Sequence, residues 1–400
     1  MYTNSELTYQ QREIIDAKSK RAFWLFEVVT VGAVTYRWTD FSSKTWDGNT
    51  HTFKVVAMSD IEENCPGPEF GIATLSNLTF EIENAGNVLD PDDLDGATVT
   101  VRLILGAKLT MIFAGADGVS FEEDAEETPD YREVEAFAWA YKVISSKHSG
   151  EQSIILECEC WLNPYLRGDY PNGRIIQDEF PDDTDMDDTC IPKIWGQAYI
   201  PVRSVYSGTK RYYVLGPSGV TYTISEVRAP KDFGSTVYAA ASYTFTDATI
   251  TGRSTATYKA SEFKIVSVGG TPVNGLFPRS GAFLDALVKY SSSATATMTN
   301  PANIIENILE DMGIPSAKIN DTEKAACAAT FTTWGLAWAG GLWYKRDREQ
   351  LLCELQVQCN MNIIPRDTLI MRIRDNTPVL IIEEVDMCLT GADDNGIGGQ

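Results

Sequence analysis

Apolar and polar residues alternate along most of the first two-fifths of the chain, a two-residue period that sets one face of a strand against a core and the other in water. The run Phe23-Trp-Leu-Phe-Glu-Val-Val-Thr-Val31 is rich in aromatic and β-branched side chains. Gly32 supplies a turn and Val34-Thr-Tyr-Arg-Trp38 resumes the alternation, so a hairpin is expected. Asp47-Gly48 marks a second tight turn, between Lys44-Thr-Trp46 and Thr52-Phe-Lys-Val-Val56. Further strands are expected through Leu78, Val101, Trp139 and Leu156. A polar arm over 1–20, with a short helix from Gln10 to Lys20, precedes an antiparallel β-barrel or sandwich over 21–160.

Beyond Cys160 the pattern breaks. Residues 161–192 read as an acidic, Pro/Gly-rich connection, with Asp169-Tyr-Pro-Asn-Gly173 and Phe180-Pro-Asp-Asp-Thr-Asp-Met-Asp-Asp188 dense in turn residues. Alternation returns in a second β domain over 193–295, in Arg211–Leu215, Val220–Ile224, Tyr243–Phe245 and Phe263–Val268. An α+β unit is expected over 296–390. There Asn300 caps a helix with Pro301 at its first position, Ile304, Ile305, Ile308, Leu309 and Met312 recur at helical spacing, and Gly313 ends it. A second helix over Arg348–Gln358 and a strand over Thr368–Ile373 follow, and 391–400 read as a flexible linker. The fold class is therefore mainly β, tandem antiparallel barrels or sandwiches with an α+β C-terminal unit.

A length of 400 residues suits two or three domains. The 33 Lys and Arg against 56 Asp and Glu give a net charge of -23, which disfavours clamping of a nucleic-acid backbone or an anionic membrane. No run is apolar enough for a membrane-spanning helix, and Met1–Lys20 lacks the apolar core of a secretion signal, so synthesis in the cytoplasm is expected. With two histidines, His51 and His148, multi-His metal sites and His-based triads cannot be built from this chain. There is no GxSxG, no phosphate loop and no dinucleotide fingerprint, and the expectation is a protein without a catalytic centre.

Three features have the residue types of sites. Asp183-Thr-Asp-Met-Asp-Asp188 has the alternating carboxylates of a calcium loop but lacks its turn glycine and closing Glu, and a solvated turn is the better reading. Cys158 and Cys160 face one side of an expected strand and could meet a metal together with Cys190. Ordinary reduced core cysteines are the alternative, so no cofactor is expected and an iron–sulfur cluster on these three is the minority reading. Trp334, Trp338, Trp343 and Tyr344, in a Gly-rich stretch, favour an interface over sugar stacking.

Tyr36-Arg-Trp-Thr-Asp-Phe41 followed by Thr45-Trp-Asp-Gly-Asn-Thr-His-Thr-Phe53 resembles the first strands of tail-tip and baseplate hub proteins of long-tailed bacteriophages and gene transfer agents. Ile191-Pro-Lys-Ile-Trp-Gly196 resembles their Ile-Pro-x-x-Tyr-Gly segment, with Trp195 in place of Tyr, and Asn300-Pro-Ala-Asn-Ile-Ile-Glu-Asn-Ile-Leu309 resembles their Asn-Pro helix. The resemblance implies a tail-tube-like barrel over 21–160 and a hub domain over 296–390. It further implies a homotrimer that closes the distal tail tube, meets distal-tail, tube and fibre or tip proteins, and lets DNA pass without specific binding. It places the protein in the virion, at the tail tip or baseplate. Iron–sulfur members of that family carry a clustered four-cysteine domain, of which this chain offers Cys158, Cys160 and Cys190. The competing readings are a β-rich carbohydrate-binding protein or glycoside hydrolase, and a hexameric distal tail ring.

Overall fold

The computed structural model describes residues 20–64, 73–109, 130–150, 152–171, 176–180, 189–202, 204–207, 210–230, 238–268, 271–272 and 286–374. The expectations placed on Gln10–Ser19, Asp183–Asp188 and 391–400 lie outside the described residues.

The first β unit comprises β1 Lys20–Val29, β2 Thr35–Thr39, β3 Lys44–Trp46, β4 Asn49–Phe53, β5 Val55–Met58, β6 Glu63–Asn64, β7 Thr74–Leu75, β8 Leu78–Glu83, β9 Thr98–Leu109, β10 Asp130–His148 and β11 Ser153–Cys160. Its main sheet runs β3-β4-β2-β1-β9-β10-β11-β8-β5. The strands β4 and β5 flank a single residue, Lys54, whose N–H donates to the Thr39 carbonyl at 3.2 Å and whose carbonyl accepts from the Glu83 N–H at 2.7 Å. One bent strand thus joins both edges, β2 and β8, and closes the sheet into a barrel. Where an antiparallel sheet was expected, β4 runs parallel to β2, with Trp38 opposite Thr52. The β3–β4 hairpin folds back along β2, and that reversal sets the direction.

Phe26, Val28, Phe80, Ile82, Val99, Val101 and Leu156 are fully buried in the barrel core, where the rings of Phe26 and Phe80 lie 5.0 Å apart. The β3–β4 hairpin lies on the outer wall. Asp47 and Gly48, at φ 47° and 73°, make the two-residue turn whose twist matches the strands, and Trp46 covers buried Phe23, Leu25 and Ile104. Lys44 pairs with Glu133 and stands 4.2 Å from the Phe23 ring centroid.

His51, on β4, is 2 % exposed, and neither ring nitrogen has a hydrogen-bond partner. Burial lowers its pKa below 6.5, with Arg37, Glu27 and Arg102 the charged groups acting on it. A lowered folded-state pKa means the unfolded chain takes up the proton first, so this contribution to stability is present above pH 6.5 and is lost as pH falls through it. His51→Phe is expected to narrow the gap between unfolding midpoints measured in urea at neutral and mildly acidic pH; an unchanged gap would contradict this.

After β12 (Asp169–Tyr170) and β13 (Thr189–Trp195), the second β unit comprises β14 Gln197–Val202, β15 Ser204–Ser207, β16 Lys210–Pro217, β17 Tyr222–Pro230, β18 Tyr238–Thr251, β19 Thr257–Val268, β20 Thr271–Pro272 and β21 Ala286–Ser292. Its order is β14-β21-β17-β18-β19-β16-β15. Its edge strands β14 and β15 are again consecutive in sequence, an order that suits closure of the sheet on itself. Ile200, Val202, Leu215, Val227, Val288 and Tyr290 form its core, with the Tyr290 hydroxyl donating to the Leu215 carbonyl at 3.1 Å.

The C-terminal unit comprises α1 Pro301–Asp311, α2 Asp321–Thr333, β22 Gly340–Tyr344, β23 Arg346–Asp347, α3 Arg348–Cys359, β24 Met361–Pro365 and β25 Leu369–Ile373. The chain is mainly β, with its long helices in this part, as the periodicity implies. The Asn300 side chain accepts from the Ala302 N–H at 3.1 Å and Pro301 opens α1; Gly313, at φ 98°, follows its end. Asn300→Ala is expected to lower stability by about 1 kcal/mol in chemical unfolding. The side-chain amide of Asn300 also donates to the Ala328 carbonyl at 2.9 Å, so Asn300→Asp should recover part of the loss by keeping the cap.

One continuous core links the first barrel to this unit: Phe26, Trp139 and Leu156 belong to the same buried cluster as Ile304, Ile305, Ile308, Leu352 and Met361. The second barrel packs around clusters of its own.

Candidate functional site: the motif junction and exposed barrel faces

Two of the segments singled out in the sequence meet. In β13 the Trp195 indole N–H donates to the Asn307 Oδ1 of α1 at 2.9 Å. Lys193 pairs with Asp311, which also accepts from the Tyr170 hydroxyl at 3.0 Å, and the ammonium lies 5.8 Å from the Tyr170 ring centroid. Burial pulls the Lys193 ammonium down to about 8; the adjoining carboxylate opposes that shift. Gly196 sits at φ 63°, and a Cβ there would stand 3.1 Å from the Ala339 Cβ, so the turn after Trp195 requires glycine. β13 pairs with β22, and a Cβ on Gly341 would come within 2.5 Å of the Lys193 carbonyl oxygen. Gly341 in the aromatic stretch is therefore a close-approach site for β13.

Beside this junction lies a cleft of about 330 Å³ lined by Trp195, Ile304, Ile308, Trp338, Leu342 and Leu355 among others. No lining side chain carries charge, so the cleft offers apolar contact and no acid, base or nucleophile. The four aromatics do not form one cluster. Trp338 packs on the common core and Trp343 on the second barrel, Tyr344 lies 5.8 Å beneath the Arg346 guanidinium, and Trp334, at the end of α2, is 55 % exposed.

Cys158 and Cys160 face the core of the first barrel from β11, and Cys190 is buried on β13. Burial raises the pKa of both strand thiols, Cys160 to about 11, which keeps them protonated and disfavours thiolate ligation. Among the described residues no group of three His, Cys, Asp or Glu side chains could hold a metal ion, so these cysteines are not assembled into such a set. His51 lies under the hairpin and His148 is exposed at the far end of β10. Among the described residues no helix is long and apolar enough to cross a membrane.

Two exposed features stand out on the barrels. Val31, Val34, Val88 and Ile144, between 50 % and 80 % exposed, all lie on the loops and strand ends at one end of the first barrel. That end is tied together by the Gly96 N–H donating to the Val143 carbonyl at 3.0 Å and the Ser146 hydroxyl donating to the Pro91 carbonyl at 2.6 Å. On the solvent-facing wall of the second barrel, the Arg228 guanidinium lies 4.7 Å and the Lys289 ammonium 5.5 Å from the ring centroid of Tyr199, whose hydroxyl bonds Glu226.

No protein family and no curated protein matches the chain. Among solved structures, a chain of the virion of a native gene transfer agent particle is similar with a TM-score of 0.28 and 9% identity, over 70% of this chain and 84% of that one. A TM-score of 0.28 is too low to establish a shared fold.

Proposed function

We propose that this protein is a structural component of a phage-type virion tail, the hub at the distal end of the tail tube. In this reading it closes the tube, joins it to the tip or fibre and lets DNA pass on infection. The observation that supports it most is architectural: two barrel-type sheets in one chain, the first closed by a bent strand and the second with its edge strands consecutive in sequence, and a helix-bearing unit fused through a common core to the first. Three such chains present six barrels around an axis, which matches a three-fold hub to a six-fold tube. The segments that resemble tail hubs also fall at structural joints. Tyr36–Phe53 makes the hairpin and the first half of the bent closing strand of the first barrel, and Ile191–Gly196 meets the Asn300–Leu309 helix through Trp195 and Asn307.

The protein acts in this account by assembly and contact rather than by turnover. Its net charge of -23 disfavours adhesion of a passing phosphate backbone wherever the acidic first barrel faces the path. Gold-labelled antibody against the second barrel should mark one end of the tail in intact particles. Label on the capsid, along the tube wall, or on no particle would reject the hub.

A further inference from the structure

The net charge conceals a division within the chain. Residues 21–160 hold 9 Lys and Arg against 25 Asp and Glu, a net of -16, whereas residues 197–295, from the start of β14, hold 10 against 5, a net of +5. The second barrel is thus a basic body in an acidic chain. On its wall, Tyr199 lies between Arg228 and Lys289, with Glu226 bonded to both the Tyr199 hydroxyl and the Arg228 guanidinium; tyrosine and arginine are the residues enriched at protein–protein contact centres. The loop end of the first barrel has the complementary character: Val31 and Val88 are 80 % and 77 % exposed, and the loop bearing Val88 continues into Asp90, Asp92, Asp93 and Asp95.

We propose that the loop end of the first barrel, around Val31, Val88 and Asp92, docks on the Tyr199–Arg228–Lys289 wall of the second barrel in another copy of this chain. The proposal rests on the self-assembly put forward above and says what drives it. The two surfaces differ, so the contact is head-to-tail, and repetition of one such contact generates a ring when the rotation closes. Exposed aliphatic side chains supply burial and opposite charges set register and speed of encounter. A net charge of -23 on every copy opposes association at long range, and the local pairing of a basic barrel with an acidic one offsets it at contact.

The sign of the salt effect separates this from simple repulsion. Static light scattering of the full chain, between about 20 and about 300 mM NaCl, reads the pair interaction even where no stable oligomer forms. The proposal expects attraction at low salt that weakens as salt is added; repulsion between like-charged copies gives the opposite trend. Asp92→Lys with Asp93→Lys lowers the magnitude of the net charge from -23 to -19, yet is expected to weaken association about tenfold. Arg228→Glu with Lys289→Glu should do the same, and all four substitutions in one chain should restore attraction, which also shows that the variants fold. Salt that strengthens association, or a fourfold variant no better than either pair, would overturn the proposal. Those results leave the hub standing, since its test is position in the particle.

Discussion

Replacing Arg366 with alanine is expected to lower stability by about 3–5 kcal/mol, because it strands a buried carboxylate. The Arg366 side chain, between β24 and β25, is 12% exposed and that of Glu63, on β6, is 6% exposed. The guanidinium donates from Nε and from Nη2 to the two carboxylate oxygens, each at 3.2 Å, while the Trp139 indole N–H donates to the same carboxylate at 3.3 Å. The guanidinium also lies 5.2 Å from the Phe137 ring centroid, and the Arg366 carbonyl accepts from the Trp161 indole N–H at 2.6 Å. This one residue therefore ties the C-terminal unit to the first barrel. Arg366→Lys keeps the charge and loses the fork, so it should recover only part of the stability. Glu63→Leu with Arg366→Leu should be milder than Arg366→Ala, since no charge is left alone. Urea unfolding of the three variants at neutral pH checks the order; an Arg366→Ala chain within about 0.5 kcal/mol of the parent would contradict it.

Phe331→Ala is expected to cost a comparable amount, about 3–5 kcal/mol. Phe331 is fully buried on α2, its ring 6.0 Å from that of Trp334 and edge-on to it, and it belongs to the core shared by the first barrel and the C-terminal unit. Truncation removes the transfer energy of the ring and leaves a cavity whose walls are fixed by β25 and α1, since Cys327 one turn earlier bonds the Met371 carbonyl at 3.1 Å. Phe331→Leu should cost roughly 1 kcal/mol, as most of the volume is kept. Thermal unfolding distinguishes the two: a steep loss for alanine and a small one for leucine is the expected result, and equal losses would point to backbone disruption instead.

Much of the fold was legible from short-range pattern. The strands through Val28, Tyr36, Phe53, Leu78, Val101, Trp139 and Leu156 are where alternation places them, and the Asp47-Gly48 turn and the Asn300–Pro301 helix start have the geometry their residues dictate. α2 escaped because its buried side chains are few, Cys327 and Phe331, and its exposed face is rich in alanine and polar residues. The available signal was its cap: the Asn320 side chain accepts from the Glu323 N–H at 3.1 Å, and Asn three residues before Glu is a helix-start signature. The strand over Thr189–Trp195 straddles the expected boundary at 192 because it carries Pro192 and Lys193 and follows turn-dense acidic residues, although six of its seven residues are buried. Barrel closure was not readable at all. The bend at Lys54 uses no glycine or proline, and its partners Thr39 and Glu83 are brought to it by the whole sheet. The same holds for the junction of Lys193, Trp195, Asn307 and Asp311, whose members lie more than a hundred residues apart.

The most direct test of the account is the arrangement of this protein in the intact particle. A cryo-EM reconstruction of the tail end, refined without imposed symmetry, reads copy number, position and barrel placement at once. The account predicts three copies around the tail axis at the distal end of the tube, their six barrels forming one ring around an open pore. Six copies related by six-fold symmetry, or copies lying off the axis, would contradict it.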